Sequence, residues 1–319
     1  MIQRIIEQIR SNRSFLITAH VRLDGDALGA ELALQKLLGE MGKSAVVYNQ
    51  DPTPANYRFL PGAAEIVHVL EETERYDVVF ILDCSELARV GEAAAQIGAI
   101  KQIINIDHHI SNNGFCEIKL LDPHASSTGE LVFRLIKAMG VRTSKDVATN
   151  LYTAILTDTG GFRYGNTTRD ALIFSGLLVE SGADPQWISQ HVYENNAPAK
   201  IRLLSKALQS LELSQEGMVG SMVVYLRDLE ETGALPEHTD GFVDLPRTIE
   251  GVKISILYSE LAEGRFKISF RSKDDANVER VARAFGGGGH INAAACRLQG
   301  DIRSIKEKVL AEIRSGGSQ

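Results

Sequence analysis

The chain is poor in cysteine: Cys84, Cys116 and Cys296 are the only three in 319 residues, and they lie far apart. An odd, scattered set excludes a disulfide framework and a zinc-finger spacing, and reads as buried free thiols. Long apolar runs are missing too. No stretch approaches the roughly 20 residues a helix needs to cross a bilayer. The opening segment, MIQRIIEQIRSNRS, alternates charged and apolar residues like an amphipathic helix. It has neither the apolar core nor the small-residue cleavage site of a signal peptide, so a cytoplasmic protein is expected. A basic excess is also lacking, since 34 Lys+Arg stand against 41 Asp+Glu for a formal charge of -7. That argues against a broad surface coating duplex nucleic acid and leaves room for a short nucleotide held by a few local cations.

What is present is a globular composition, 44% hydrophobic and 24% charged. The length suggests two domains, each able to bury its own core. The boundaries read as 1–190, a helical linker over 191–215, and 216–319. Residues 191–319 hold 17 Lys+Arg and 18 Asp+Glu, which leaves 17 and 23 of the totals for residues 1–190. The acidic excess therefore lies in the first part.

In that part SFLITA (14–19), SAVVYN (44–49), DVVFILD (77–83) and KQIINID (101–107) read as strands. Helical patterns at 27–41, 86–98 and 126–139 alternate with them, and 146–157 and 170–181 read as further helices. The alternation predicts an α/β fold with a parallel sheet and helices on both faces. A long helical pattern over 186–213, interrupted at Pro198, reads as the connector. From Met218 the texture changes. MVGSMVVYL, VKISILYSEL and GRFKISFRS read as strands, ANVERVARAF and 301–314 as helices, and GGGGH stands between them. This is expected to be a smaller α/β domain.

The polar residues of the first part gather where open α/β sheets bind ligands, at the carboxyl ends of strands. His20 follows the first strand, with Asp24 and Asp26 in the next loop, inside HVRLDGDALGAELAL. Asp83 ends the third strand, and Asp107, His108 and His109 end the fourth. Asp158 closes a helical stretch. One Asp at a helix start is commonly a cap, and one His in a loop is commonly solvated. Carboxylates and imidazoles at successive strand ends are another matter, because the carboxylates would repel one another if uncompensated. Divalent cations resolve this. Oxygen and imidazole donors without thiolate suit Mn²⁺, with Mg²⁺ or Co²⁺ as alternatives. Two cations about 3.5–4 Å apart would clamp a phosphoryl group and activate water.

The series His20-x3-Asp24-x-Asp26, Asp83, Asp107-His108-His109, Asp158 resembles the DHH phosphoesterases, and GGGGH at 286–290 resembles their associated substrate-binding domain. The two-domain form is similar to the branch of oligoribonucleases (nanoRNases) that also act on phosphoadenosine phosphate. The resemblance implies a cleft between the domains, with one cation on His20, Asp24 and Asp83 and the other on Asp26, Asp83, His108 and Asp158, Asp83 bridging. It implies that Asp107 orients an imidazole and that His109 donates to the scissile phosphate. Arg271, Gly288, Gly289 and His290 would grip the substrate's terminal phosphate or base, and Arg163 could reach it as well. Glycines admit a phosphate to backbone N–H groups, and an Arg fork matches its oxygens.

Two positions depart from the family pattern. Leu23 stands where Pro is frequent, and Ala295 replaces a Gly beyond His290. Short single-stranded RNA and 3'-phosphoadenosine 5'-phosphate are the expected substrates. A cyclic- or linear-dinucleotide phosphodiesterase, a pyrophosphatase and a catalytically silent nucleotide-binding regulator are the rivals. Assembly as a homodimer is left open.

Overall fold

The computed structural model describes residues 1–273 and 276–316. The chain divides into two compact units, Met1–Asn195 and Asn196–Gln319.

The first unit begins with α1 (Ile2–Ser11), β1 (Ser14–Thr18), α2 (Gly25–Glu40), β2 (Ser44–Val47), β3 (Val78–Leu82), α3 (Ala94–Gly98), β4 (Ile103–Asp107) and β5 (Ile118–Leu121). It ends with α4 (Thr128–Met139), α5 (Lys145–Asp158), α6 (Arg169–Glu180) and α7 (Pro185–Tyr193). Its five strands are all parallel, in the order β2-β1-β3-β4-β5. The strand order reverses between β1 and β3, so their carboxyl ends flank the crevice where such sheets bind ligands. The expected parallel α/β sheet is therefore present.

The apolar residues of β1 and β3 alternate between two faces. Phe15, Ile17 and Phe80 pack under the helices, while Leu16, Val79 and Ile81 pack on the opposite face with Val90 and Ile97. Helix α2 is buried on nearly every side because α5 lies close against it. Glycine makes that approach feasible. A Cβ at Gly29 would stand 2.4 Å from the Asn150 carbonyl oxygen, and one at Gly25 2.4 Å from Thr157 Oγ1.

The single helix expected over 86–98 is in fact a 3-10 turn at Leu87–Val90 followed by the five-residue α3. Gly91 separates them with φ 97, a backbone state that ends helical geometry. Strand β5 was not foreseen. Four residues with one buried side chain carry too little pattern, and it forms by pairing with β4.

The second unit contains α8 (Pro198–Gln209), β6 (Glu212–Ser214), β7 (Val219–Val224), α9 (Leu226–Thr232), β8 (Ile254–Ala262) and β9 (Arg265–Ser272), then α10 (Val278–Ala284), β10 (Gly288–His290), β11 (Ala293–Gln299) and α11 (Ile302–Gly316). Pro198 starts α8 rather than kinking a longer helix, a place where its missing N–H costs nothing. The sheet order is β10-β11-β9-β8-β7-β6, with β7 and β8 parallel and the remaining pairs antiparallel. One face packs under α10 and α11 through Ile256, Ile268, Phe270 and Val309. Over β7 and β8 the other face is closed by Leu203 and Ala207 of α8 with Phe242 and Val243, which meet Met222, Val224 and Leu257. The glycine run ends in a strand, β10, paired to β11. Among the described residues no helix is long and apolar enough to cross a membrane.

Candidate active site

Three strand ends and one helix end deliver the polar groups of the first unit. His20 stands two residues beyond β1, Asp83 directly follows β3, Asp107 is the last residue of β4, and Asp158 is the last of α5. Asp24 caps α2, its Oδ1 accepting from the backbone N–H groups of Asp26 (3.1 Å) and Ala27 (3.0 Å). It is thus a helix cap while its other oxygen points at His20. Asp26 is buried in the first turn of the same helix. Its carboxylate accepts from the backbone N–H groups of Thr128 (2.7 Å) and Gly129 (2.8 Å), at the N-terminus of α4. Two helix N-termini therefore converge on this acidic pair, where their dipoles favour negative charge.

Asp83 is the hub. Its Oδ2 lies 3.3 Å from His20 Nε2, and its Oδ1 lies 3.6 Å from His108 Nε2. Thr128 Oγ1 donates to the same Oδ1 at 3.0 Å. The residue adopts φ 52, a left-handed backbone rarely taken by a side chain other than glycine. Strain of this kind at a buried carboxylate persists only where the surroundings impose it.

Three overlapping groups stand at and around the hub: His20, Asp24 and Asp83; Asp83, His108 and His109; and Asp26, His108 and Asp158, each with donor atoms within 4.8 Å of one another. His108 Nε2 lies 3.7 Å from Asp26 Oδ2 and 3.5 Å from Asp158 Oδ2. The structure thus gathers all six residues expected to hold cations. Asp107 is buried and holds His109, its Oδ1 accepting from Nδ1 at 2.7 Å and from the backbone N–H at 3.1 Å. Such a contact sets the tautomer and the plane of the ring.

Arg163 is in the turn after Asp158, its Nε donating to the Gly160 carbonyl at 2.6 Å. In the second unit, Arg271 is half-exposed on β9, with Nη1 on the Phe270 carbonyl and Nε 4.0 Å from Asp244. Gly288 and Gly289 are in β10, while the side chain of His290 lies outside the described residues.

The charges are strongly unbalanced. Burial pushes Asp26 well above the usual carboxylate range, and repulsion from Asp83 and Asp158 adds to it. Burial likewise raises Asp158 to about 7, with Asp83 adding to the rise against the attraction of His108. Asp83 goes the other way. Burial alone would raise it, but His20, His109 and His108 outweigh that and hold it well below the usual range. Burial would lower His20, yet Asp83 and Asp24 push it up to about 9. Protons here fill a role that cations would fill better. The donor set is carboxylate oxygen and imidazole nitrogen without thiolate, and it fits borderline-hard divalent ions.

Two supporting residues, Asn112 and Asn166, escaped the reading of the sequence. Asn112 Nδ2 donates to Asp107 Oδ2 at 2.6 Å and to Asn105 Oδ1 at 2.9 Å, so it bolts the Asp107–His109 pair to β4. Asn166 Nδ2 donates to Asp158 Oδ2 at 3.2 Å and to the Ser126 carbonyl at 2.9 Å. Neither has a spacing signal that would single it out. Among Ser126, Ser127 and Thr128, Ser127 is the cap of α4, and Thr128 touches Asp83.

Residues 14–155 match the DHH family, N-terminal domain, and residues 219–315 match the DHHA1 domain. The chain belongs to the DHH family. Over 301 residues it is 34% identical to the bifunctional oligoribonuclease and PAP phosphatase NrnA of Thermus thermophilus, covering 93% of this chain and 88% of that one. The protein of the same name from Bacillus subtilis is 25% identical over 301 residues, 93% of each chain. A solved structure, an exopolyphosphatase-related protein from Bacteroides fragilis, matches with a TM-score of 0.93 at 29% identity, over 98% of this chain and 95% of that one.

Proposed function

We propose that the chain is a two-cation phosphoesterase of the cytoplasm that hydrolyses short RNA oligonucleotides to mononucleotides and 3'-phosphoadenosine 5'-phosphate to AMP. The observation that carries this reading is Asp83, whose two oxygens face two separate carboxylate–imidazole groups. The relatives from Thermus thermophilus and Bacillus subtilis, which bear both activities in their names, support the choice of substrates.

His20, Asp24 and Asp83 would hold one cation, and Asp26, Asp83, His108 and Asp158 the other, with Mn²⁺ favoured by the donor types. When bound, the pair supplies Lewis acidity to the phosphoryl oxygens and lowers the pKa of the attacking water. The N–H groups of Thr128 and Gly129 keep the Asp26 carboxylate aimed inward, as Thr128 Oγ1 does for Asp83. Asp107 fixes His109 so that its ring can donate to a phosphate oxygen as charge develops there. Arg271 and the glycine strand bind the far phosphate or base, together with His290, and Arg163 contacts the substrate beside Asp158. Gly288 supports that role. It has no positive φ, and an added Cβ would meet nothing within 4 Å, so the fold itself does not demand glycine there.

The test is a parallel hydrolysis assay in Mn²⁺ with a labelled RNA dimer, a longer RNA, phosphoadenosine phosphate and pyrophosphate. Mononucleotides from the dimer and AMP from phosphoadenosine phosphate are expected. Turnover of pyrophosphate alone would contradict the proposal, as would nucleotide binding without turnover of any of the four.

A further inference from the structure

One cation beside the catalytic face has no role in the account above. Arg89 sits in the 3-10 turn Leu87–Val90, shortly after Asp83. That turn is pinned from two sides. The Arg89 carbonyl accepts from the backbone N–H of Val21, the neighbour of His20, at 2.8 Å. The Ser85 carbonyl accepts from the N–H of Asn113 at 3.0 Å, and the Cys84 carbonyl from Asn112 Nδ2 at 3.2 Å, both in the loop that follows His109. Gly91 closes the turn at φ 97, where a Cβ would stand 2.3 Å from Gln50 Oε1 and 2.9 Å from Val21 Cγ1. The backbone of Arg89 is therefore held between the loop of His20 and the loop of His109.

The side chain is held by much less. It is half-buried, and among the described residues its one polar contact is Nη1 donating to Ser85 Oγ at 3.5 Å, long for a hydrogen bond. A guanidinium carries five N–H donors in a planar fork, so most of this one is uncommitted. Arg134 shows the other way to hold an arginine in this unit, since it is paired with both Asp122 and Glu130. Among the described residues Arg89 has no carboxylate within 4.0 Å, although Asp83 and Asp107 end the two strands beside it. Its charge still reaches the site. Burial and Arg89 both oppose protonation of His109, and Asp107 and Asp83 outweigh them. An arginine without an ion pair and an imidazole thus share one edge of the cluster.

We propose that the Arg89 fork grips a non-bridging oxygen of the phosphoryl group beside His109, as a further substrate-contacting residue of the hydrolysis. The proposal rests on the reading of the chain as a phosphoesterase and adds to it a residue outside the aspartate, histidine and glycine motifs. A planar fork matches phosphoryl oxygens two at a time, which an ammonium cannot do. The fixed backbone sets where the fork arrives, and no protein ion pair has to break before it meets an anion.

The experiment reads binding first. AMP is titrated by calorimetry into the full chain and into Arg89→Ala, both in Mn²⁺, with adenosine as the probe that lacks a phosphate. Arg89→Ala should bind AMP about 10–100-fold more weakly, the scale of a lost hydrogen bond between charged groups. Adenosine binding and the melting temperature should match the wild type. Arg89→Lys should recover AMP binding only in part. With the RNA dimer, kcat of Arg89→Ala should fall about 10²–10³-fold, and added guanidinium ion should restore part of it where sodium at equal concentration does not. Wild-type AMP affinity in Arg89→Ala would overturn the proposal. Full recovery by lysine would also overturn it, because a point charge would then suffice. So would an equal loss for AMP and adenosine with a lowered melting temperature, which would mark a structural residue. If the wild type hydrolyses no substrate, the functional reading fails in the assay above, while the AMP comparison still decides this one.

Discussion

The two units hold their charges in opposite ways. In the first, Asp26, Asp83, Asp107 and His20 are buried and interlocked, and each acidic oxygen answers to a helix N-terminus, an imidazole, a hydroxyl or the Asn112 amide. In the second, the cations of β9 and β11 stand on a half-open sheet face, where each contributes on its own. Buried charges are expensive to misplace and couple strongly to their neighbours, whereas exposed charges are worth little singly and add up. The first arrangement suits chemistry at fixed atoms. The second suits adjustable grip.

The sharpest way to break this contrast is to remove the hub. Asp83→Asn keeps the size of the side chain and discards the charge that faces both groups. Turnover of an RNA dimer in Mn²⁺ should fall at least about 10³-fold, the scale of losing a main electrostatic element of a site. A circular dichroism melt should still show a folded protein. Retained turnover would place the chemistry elsewhere.

A smaller effect comes from the glycine strand, where two adjacent residues separate grip from fold. Gly288→Ala adds a methyl to open space, so stability should change by less than about 0.5 kcal/mol while KM for the substrate rises several-fold. Gly289→Ala meets the Ala293 carbonyl oxygen at 2.4 Å with φ 150, and should cost about 1–3 kcal/mol in a denaturant titration. Equal behaviour of the two variants would remove the distinction between a ligand-facing and a fold-facing glycine.

The smallest effect is on stability against pH. Glu31 is buried in α2 with Asn49 Nδ2 donating to it at 2.9 Å, and burial pushes its pKa from 4.5 up to about 8. A raised carboxyl contributes stability that is fully present below its unfolded value of 4.5 and is lost as pH rises through about 8. Glu31→Gln removes that loss. Its melting temperature should exceed the wild type by about 2–5 °C at pH 9, with the gap closing toward pH 5. A gap that does not depend on pH would show that Glu31 is not titrating in the fold.

Much of the catalytic face was legible because a polar residue ending an apolar, β-branched run is a strong signal. Asp83 and Asp107 stand out in VVFILD and QIINID for that reason, and the sheet places both as read. The rest was hidden for physical causes. Strands β10 and β11 are mostly glycine, alanine and polar residues with little β-propensity, Cys296 and Leu298 excepted, and exist by pairing to one another and to β9. Asn112 and Asn166 act through contacts across the fold that no local spacing encodes. The positive balance of residues 265–303, eight Lys+Arg against four Asp+Glu, is legible in the sequence, but that Lys267 and Arg297 pair is known only from the register of β9 and β11.

The central claim is that Asp83 joins two cation sites, and calorimetric titration of the metal-free chain with Mn²⁺ tests it most directly. The account predicts two ions per wild-type chain and at most one weakly bound ion for Asp83→Asn. Two ions held by that variant with wild-type affinity, or none held by the wild type, would contradict it.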